Sequence, residues 1–160
     1  MKLSHLDDNN NPKMVDITSK EVTCRMALAC CSLEVDPSIM EKLHEGEIHT
    51  KKGPVFHTAI IAGTMAVKKT SDHIPFCHAL NIDGCHFNIK TEQSLNKINI
   101  TCKVKVSGKT GVEMEAITGA TVAALTIYDM CKAITHKMTI KEAKLLEKSG
   151  GKRTVQRELS

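Results

Sequence analysis

The sequence predicts an α+β fold in which an antiparallel sheet packs against two buried helices in a ferredoxin-like order. Three observations carry that expectation. Ile98, Ile100, Cys102, Val104 and Val106 alternate strictly with Lys97, Asn99, Thr101, Lys103 and Lys105, the period of a strand with one face buried. Residues 55–67 contain no Lys, Arg, Asp or Glu and place Phe56, Ile60, Gly63 and Val67 at helical spacing. Residues 116–128 are also free of charge and open a second, longer helical stripe.

The 160 residues are about the size of one domain, enough to bury a core without staples. With no Trp, one Tyr and three Phe, that core must be aliphatic. The chain also lacks the aromatic platforms on which single-strand binders stack bases. The net charge of +4 is mild, and Lys and Arg are interleaved with acids rather than gathered in one stripe. This distribution fits a solvated surface or a pocket for an anionic small molecule, and nucleic acid is not an expected partner. No apolar run is long enough to span a membrane. The seven cysteines are odd in number, include the adjacent pair Cys30 and Cys31, and form no C-x-x-C. They read as reduced thiols in a cytoplasmic setting.

In chain order, residues 1–13 are a polar arm. Residues 14–148 form the domain, and 149–160 a flexible basic tail containing Gly150-Gly151-Lys152. Arg25 opens an apolar run through Val35 that suits a buried strand, although a short helix would also fit. Asp36-Pro37 starts a helix that Gly46 stops. Pro54 marks the first turn of the uncharged helix, which ends near Asp72 before Pro75. A strand from about Leu80 to Lys90, with a bulge at Gly84, pairs with the alternating strand through a loop at 91–96. Ser107–Gly111 turns the chain, and Val112–Glu115 resumes strand alternation. The second long helix is expected over Gly119–Lys137, with Ala120, Ala123, Ala124, Ile127, Cys131 and Ile134 in one stripe. Its other side carries Val122, Leu125 and Ala133, so a second subunit is expected to cover it. A short helix over Ile140–Lys148 precedes the tail.

Several groups carry candidate chemistry, each with a plainer alternative. Lys51 and Lys52 lie beside a helix N-terminus, where free N–H groups favour an anion, or are simply exposed loop lysines. His78, in Ile74-Pro75-Phe76-Cys77-His78, is able to exchange protons near neutrality or serves structure alone. A zinc site from Cys77, His78, Cys85 and His86 matches no common ligand spacing, and no metal site is expected. On a strand, Glu113 and Glu115 would share one face, about 7 Å apart, and would grip a base edge or face solvent. Ser107-Gly108-Lys109-Thr110-Gly111 is not a phosphate-binding loop, because the glycine that motif needs is Lys103 here. Asp129 and Lys132 stand one turn apart on a helix face just beyond the uncharged stretch. Part-buried, they form either a functional acid–base pair or a structural ion pair.

The runs Met14-Val15-Asp16, Lys52-Gly53-x-Val55-Phe56, Ile61-Ala62-Gly63, Ile74–Leu80, Gly108–Ala116, Ala123–Ala133 and Lys148–Lys152 resemble, in order, the cyclic pyranopterin monophosphate synthase family of molybdenum cofactor biosynthesis. The blocks 108–116 and 123–133 are the most specific. Departures occur at Phe76, Ala79 and Ile60, where the family has Leu, Pro and often a basic residue, and none removes a functional group. The resemblance implies a lyase that converts 3′,8-cyclo-7,8-dihydroguanosine 5′-triphosphate to cyclic pyranopterin monophosphate and diphosphate. It implies Asp129 as acid or base with Lys132 as its partner, and Lys52 as general acid or phosphate ligand. Phe76, Cys77 and His78 would line the pocket, Glu113, Met114 and Glu115 would hold the base, and Arg25 and Lys148 would bind phosphate. It further implies no required cofactor, with the role of Mg²⁺ on the phosphates open, and a homohexamer built as a trimer of dimers with sites at its interfaces. A cyclohydrolase on a similar scaffold and a non-catalytic nucleotide-binding module are the competing classes. Plain GTP as substrate, or tolerance of change at Asp129, would distinguish them.

Overall fold

Strand β1 (Thr23–Glu34) lies at the centre of the main sheet because its partners on both sides are antiparallel neighbours. The computed structural model describes residues 6–7 and 9–157. Ala27, Ala29, Cys31 and Leu33 of β1 register against Val104, Cys102, Ile100 and Ile98 of β6 (Lys97–Gly108), and all are fully buried. The alternation in β6 therefore points where the sequence indicates, towards the helices. β5 (Gly84–Glu92) pairs with the outer edge of β6, and β7 (Thr139–Ser149) with the other edge of β1. A two-residue strand, β8 (Val155–Gln156), returns along β7.

The five-stranded order is β5-β6-β1-β7-β8. With α2 (Val55–Lys68) between β1 and β5, and α4 (Glu113–Cys131) between β6 and β7, the first four of these strands form the βαββαβ ferredoxin-like arrangement. A short α1 (Pro37–Met40) follows β1. A small sheet follows from β2 (Leu43–His44), β3 (Glu47–Thr50) and β4 (Gly53–Pro54), and α3 (Thr70–His73) follows α2.

Four expected elements differ from the observed ones. The helix beginning at Pro37 stops at Met40 rather than at Gly46. Glu45 and Gly46 both take positive φ, +50° and +80°, which is the requirement of a two-residue hairpin turn between β2 and β3. Leu80–Asp83 is not strand, and Gly84 is the first residue of β5 rather than a bulge. Val112–Glu115 is not a strand: α4 begins at Glu113 and ends at Cys131, so it is displaced towards the N-terminus of the expected span. Glu113 and Glu115 in its first turn suit the positive end of a helix, and four alternating residues are too few to outweigh that. Ile140–Lys148 is strand β7, not helix. Its Lys, Glu, Ala and Leu favour helix locally, but β7 pairs with the edge of β1, whose backbone N–H and C=O groups a helix in its place would leave without partners. The mismatch leaves marks, with Glu142 at φ +55° and β7 slipping register against β1 at two places. Residues 1–5 and 8 of the expected arm and 158–160 of the expected tail lie outside the described residues.

Helices α2 and α4 pack against each other almost backbone to backbone. A Cβ on Gly63 would stand 2.6 Å from the Phe87 ring and 2.9 Å from the Gly119 carbonyl oxygen. A Cβ on Gly119 would stand 2.6 Å from Val67 and 2.9 Å from the Cys102 sulfur. Ala116, Ala120, Ala123 and Ala124 continue this flush face and are fully buried. The outer faces remain uncovered in the single chain, with Ile61, Met65 and Leu125 all more than half exposed.

Gly63→Ala tests the close approach. The added methyl gains about 1 kcal/mol of helix propensity but overpacks a site where a backbone oxygen cannot yield, at about 1–3 kcal/mol. The expected result is a lower melting temperature with unchanged secondary structure by circular dichroism. A variant melting at or above the parent would show that the helices have room to part.

Candidate active site

The candidate functional groups gather at the two ends of α4. At its N-terminal end the chain leaves β6, turns through Gly108–Gly111 and enters the helix at Glu113. The Glu113 carboxylate accepts a 2.7 Å hydrogen bond from Lys148 Nζ, and both side chains are 29% exposed. It folds back so closely over Gly111 that any side chain there would displace it. Arg25, near the start of β1, donates through Nε to the Gly108 carbonyl oxygen at 2.9 Å. The turn after β7 then wraps around it. Gly150 has φ +82° and abuts the Cys24 carbonyl oxygen, so only glycine fits there.

These contacts leave a cavity of about 170 Å³ lined by Arg25, Glu113, Lys148, Lys152 and Arg153. Four cations against one carboxylate suit a polyanion. The cavity shares Gly111, Glu113 and Lys152 with a larger one of about 480 Å³, lined by Phe76, Cys77, His78, Leu80, Met114 and Glu115 and closed by Val15 and Ile17. The joint cleft has a basic end and a mostly apolar end with a few polar groups, the form expected for a nucleotide-like ligand. His78 Nε2 donates to the Val15 carbonyl oxygen at 2.9 Å, which fixes the proton on Nε2 in the neutral ring. Lys109 Nζ holds the same N-terminal segment through the Thr18 carbonyl oxygen at 2.7 Å.

The two glutamates do not share a face, which corrects the strand reading. In a helix, residues two apart are separated by about 200° around the axis. Glu113 therefore reaches Lys148, while Glu115 turns inward and is 4% exposed. Burial raises the Glu115 carboxyl above its ordinary pKa of 4.5, and the charge of Glu113 adds to the effect. Burial likewise raises the Cys77 thiol, with Glu115 as the second cause, so Cys77 is neutral at physiological pH.

At the C-terminal end of α4, Asp129 Oδ1 pairs with Lys132 Nζ and Oδ2 with Lys52 Nζ, both at 2.7 Å. Lys52 Nζ also donates to the Asp129 main-chain oxygen at 3.1 Å. The pair is not part-buried as expected, since the Asp129 and Lys132 side chains are 51% and 47% exposed. Asp129 lies on the solvent side of the helix, away from the stripe that packs the core. Its carboxyl is lowered from 3.8 to about 2, first by the hydrogen bond from Lys132 and then by that from Lys52. Lys132 is raised in turn, chiefly by its hydrogen bond to Asp129. An adjoining cavity of about 480 Å³ is lined by Lys42, Thr50, Lys52, Met130 and Ile134.

From Glu113 to Asp129 the helix rises about 24 Å. All the predicted residues therefore fall into two clusters, and one chain does not bring those clusters together. Residue reasoning missed Lys152 and Arg153, whose signal is a pair of cations directly after Gly150-Gly151. It also missed Val15 and Ile17, which carry no local signal because they reach the cleft only through the fold. All seven cysteines are free. Among the described residues, no three His, Cys, Asp or Glu side chains are grouped to hold a metal ion, and no helix is long and apolar enough to cross a membrane.

Residues 14–151 match the MoaC family. The chain is 49% identical over 154 residues to a cyclic pyranopterin monophosphate synthase of Xanthomonas campestris pv. campestris, covering 96% of this chain and 93% of that protein. It is 47% identical to a protein of the same name from Thermoanaerobacter sp., covering 95% of each. It is also 53% identical to a molybdenum cofactor biosynthesis bifunctional protein of Synechocystis sp., where it covers 95% of this chain but spans 45% of that relative's length.

The Asp129 titration is directly measurable. Because its folded value is depressed, its contribution to stability is complete above about pH 4 and is lost as the pH falls through about 2. Lys132→Met should move the carboxyl midpoint up towards 3.8 in carbon-detected NMR, and an unmoved midpoint would show that Lys132 does not set it.

Proposed function

The chain belongs to the MoaC family, and we propose that it is a cyclic pyranopterin monophosphate synthase acting in molybdenum cofactor biosynthesis. Its substrate is then 3′,8-cyclo-7,8-dihydroguanosine 5′-triphosphate, and its products are cyclic pyranopterin monophosphate and diphosphate. The observation that carries this reading is the joint cleft, in which a basic end of Arg25, Lys148, Lys152 and Arg153 continues into a pocket bearing His78, Met114 and Glu115. A triphosphate suits the first and a purine-derived ring system the second.

The rearrangement opens the imidazole ring, builds a pyrazine ring and closes a cyclic phosphate as diphosphate leaves. The ring steps need protons moved between nitrogen and carbon atoms. Glu115, with its raised pKa, is suited to hold and return such a proton, and His78, held through Nε2 by the Val15 carbonyl oxygen, presents Nδ1 as a second proton carrier. In the phosphate step a substrate hydroxyl attacks phosphorus, and negative charge grows on the departing diphosphate. The four cations of the cradle offset that charge. No resident cofactor is needed in this scheme, and any Mg²⁺ arrives on the triphosphate. The reduced thiols fit work in the cytoplasm.

Asp129, Lys132 and Lys52 act on the same substrate only if a second copy supplies them, since about 24 Å of α4 separates the clusters within one chain. The uncovered Ile61, Met65 and Leu125 support such an assembly, and the homohexamer built from dimers is the form we propose. At about 2, the Asp129 carboxylate is a poor base while both lysines hold it. When the triphosphate draws an ammonium away, the carboxylate regains basicity beside the substrate, so proton transfer is coupled to phosphate binding.

Asp129→Asn should cut turnover by about 100-fold or more with little change in melting temperature. Lys148→Ala should cut turnover through the cradle. If one site draws on two chains, refolding the two inactive variants together restores turnover that neither shows alone. Mixtures that stay inactive would place the whole site in one chain, and a light-scattering mass of 17.6 kDa would remove the assembly.

A further inference from the structure

Glu47 is a buried carboxylate outside both clusters. It opens β3, and its side chain is 11% exposed. Oε1 accepts the backbone N–H of Ile48 at 2.7 Å and of Phe56 at 2.8 Å. Oε2 accepts the N–H of His57 at 3.1 Å and stands 2.6 Å from His57 Nδ1. Phe56 and His57 belong to the first turn of α2, whose N-cap residue is Pro54. Proline has no side-chain oxygen to satisfy those N–H groups, and the structure has no side-chain cap from that position. Glu47 therefore caps α2 from across the hairpin. These hydrogen bonds hold its carboxyl below the ordinary glutamate value even though burial acts the other way.

The cap closes a ring of backbone around Lys52. The segment between Glu47 and Phe56 runs along β3, turns at 51–52 and returns through β4, with Thr50 opposite Gly53. Lys52 N–H donates to Thr50 Oγ1 at 3.2 Å, and Gly53 takes φ +110°. Lys52 Nζ then reaches Asp129. The turn that carries Lys52 is thus tied to α2 by the Glu47 carboxylate at its base.

We infer that Glu47 is a positioning residue for Lys52, acting by capping α2 in place of Pro54. The inference rests on the proposed role of Lys52 in the synthase reaction. Glu47 is not a catalytic residue, because its two oxygens already meet three backbone N–H groups and the His57 ring.

The test uses turnover of the cyclised triphosphate by the full chain together with the Asp129 titration. Glu47→Ala should lower the turnover number by up to about 100-fold, the scale of a catalytic group misplaced by about 1 Å. It should also raise the Asp129 midpoint from about 2, as Lys52 leaves the carboxylate. Adding Pro54→Asp, which supplies a local cap, should restore most of both. In a Lys52→Ala background, Glu47→Ala should cost less than about twofold, as expected for residues acting as one unit. Glu47→Gln keeps the shape but turns an amide against N–H donors, and it stands in if Glu47→Ala does not fold. Full turnover in both Glu47 variants, or an equal loss with and without Lys52, would overturn the inference. If the parent chain does not turn over the substrate, the functional reading fails. The Asp129 midpoint then decides the positioning claim alone, and an unmoved midpoint in Glu47→Ala and Glu47→Gln would end it.

Discussion

The contact on which the rest of the structure depends is the near-touching of α2 and α4 at Gly63 and Gly119, pinned by the Phe87 ring. It exists because both positions lack a Cβ and because Ala116, Ala120, Ala123 and Ala124 keep the α4 face low. A helix seated this closely on a sheet has little freedom to tilt or slide. Its two ends are therefore held at a set distance, and so are the groups they carry. Beside the Phe87 ring, small and branched side chains line this contact, with Val67 and Cys102 against Gly119.

The charges follow the polarity of that helix. Glu113 and Glu115 sit at its positive end and the ammonium of Lys52 at its negative end, on the Asp129 carbonyl oxygen. Each end also compensates locally, Glu113 through Lys148 and Asp129 through Lys52 and Lys132. At the N-terminal end the cations exceed the acids, so that cleft is ready for a polyanion. At the C-terminal end an acid is held ionised by two cations, which a phosphate could compete for. This division gives the proposed site one region that binds and another that responds to binding. The exposed apolar sides of α2 and α4 are where the proposed second chain would pack to join the two.

The elements legible in the sequence were those whose signal is local. The alternation of β6 shows directly as buried Ile98, Ile100, Cys102, Val104 and Val106. The uncharged stretches 55–67 and 116–128 lie within the two long helices. Where local preference and tertiary pairing disagreed, local reading failed. The helix-favouring segment 139–149 is a strand because β1 has an open edge beside it. Of the four alternating residues at 112–115, Val112 is the N-cap and Glu113–Glu115 are the first turn of a helix, because the buried stripe at Ala116 extends back through Glu115 and Val112. That single shift in α4 changed the meaning of Glu113 and Glu115, from a paired grip on one face to an ion pair and a buried acid.

The site was legible as a set of residues and not as a place. Sequence alone marked the candidate groups for chemistry, because His78, Glu113, Asp129, Lys132 and Lys52 sit in short segments whose residue types and spacing are specific. It also determined the family, for the same reason. Only the tertiary structure decided that Arg25, Lys148, Lys152 and Arg153 enclose one cavity and that Val15 and Ile17 close its neighbour. Only it decided that a carboxylate at position 47 caps a helix that starts at 55. The physical reason is range: periodicity and capping act over one or two turns of chain, whereas the pairing of β7 with β1 joins residues more than a hundred positions apart and the seating of α4 joins Gly63 to Gly119, 56 positions apart.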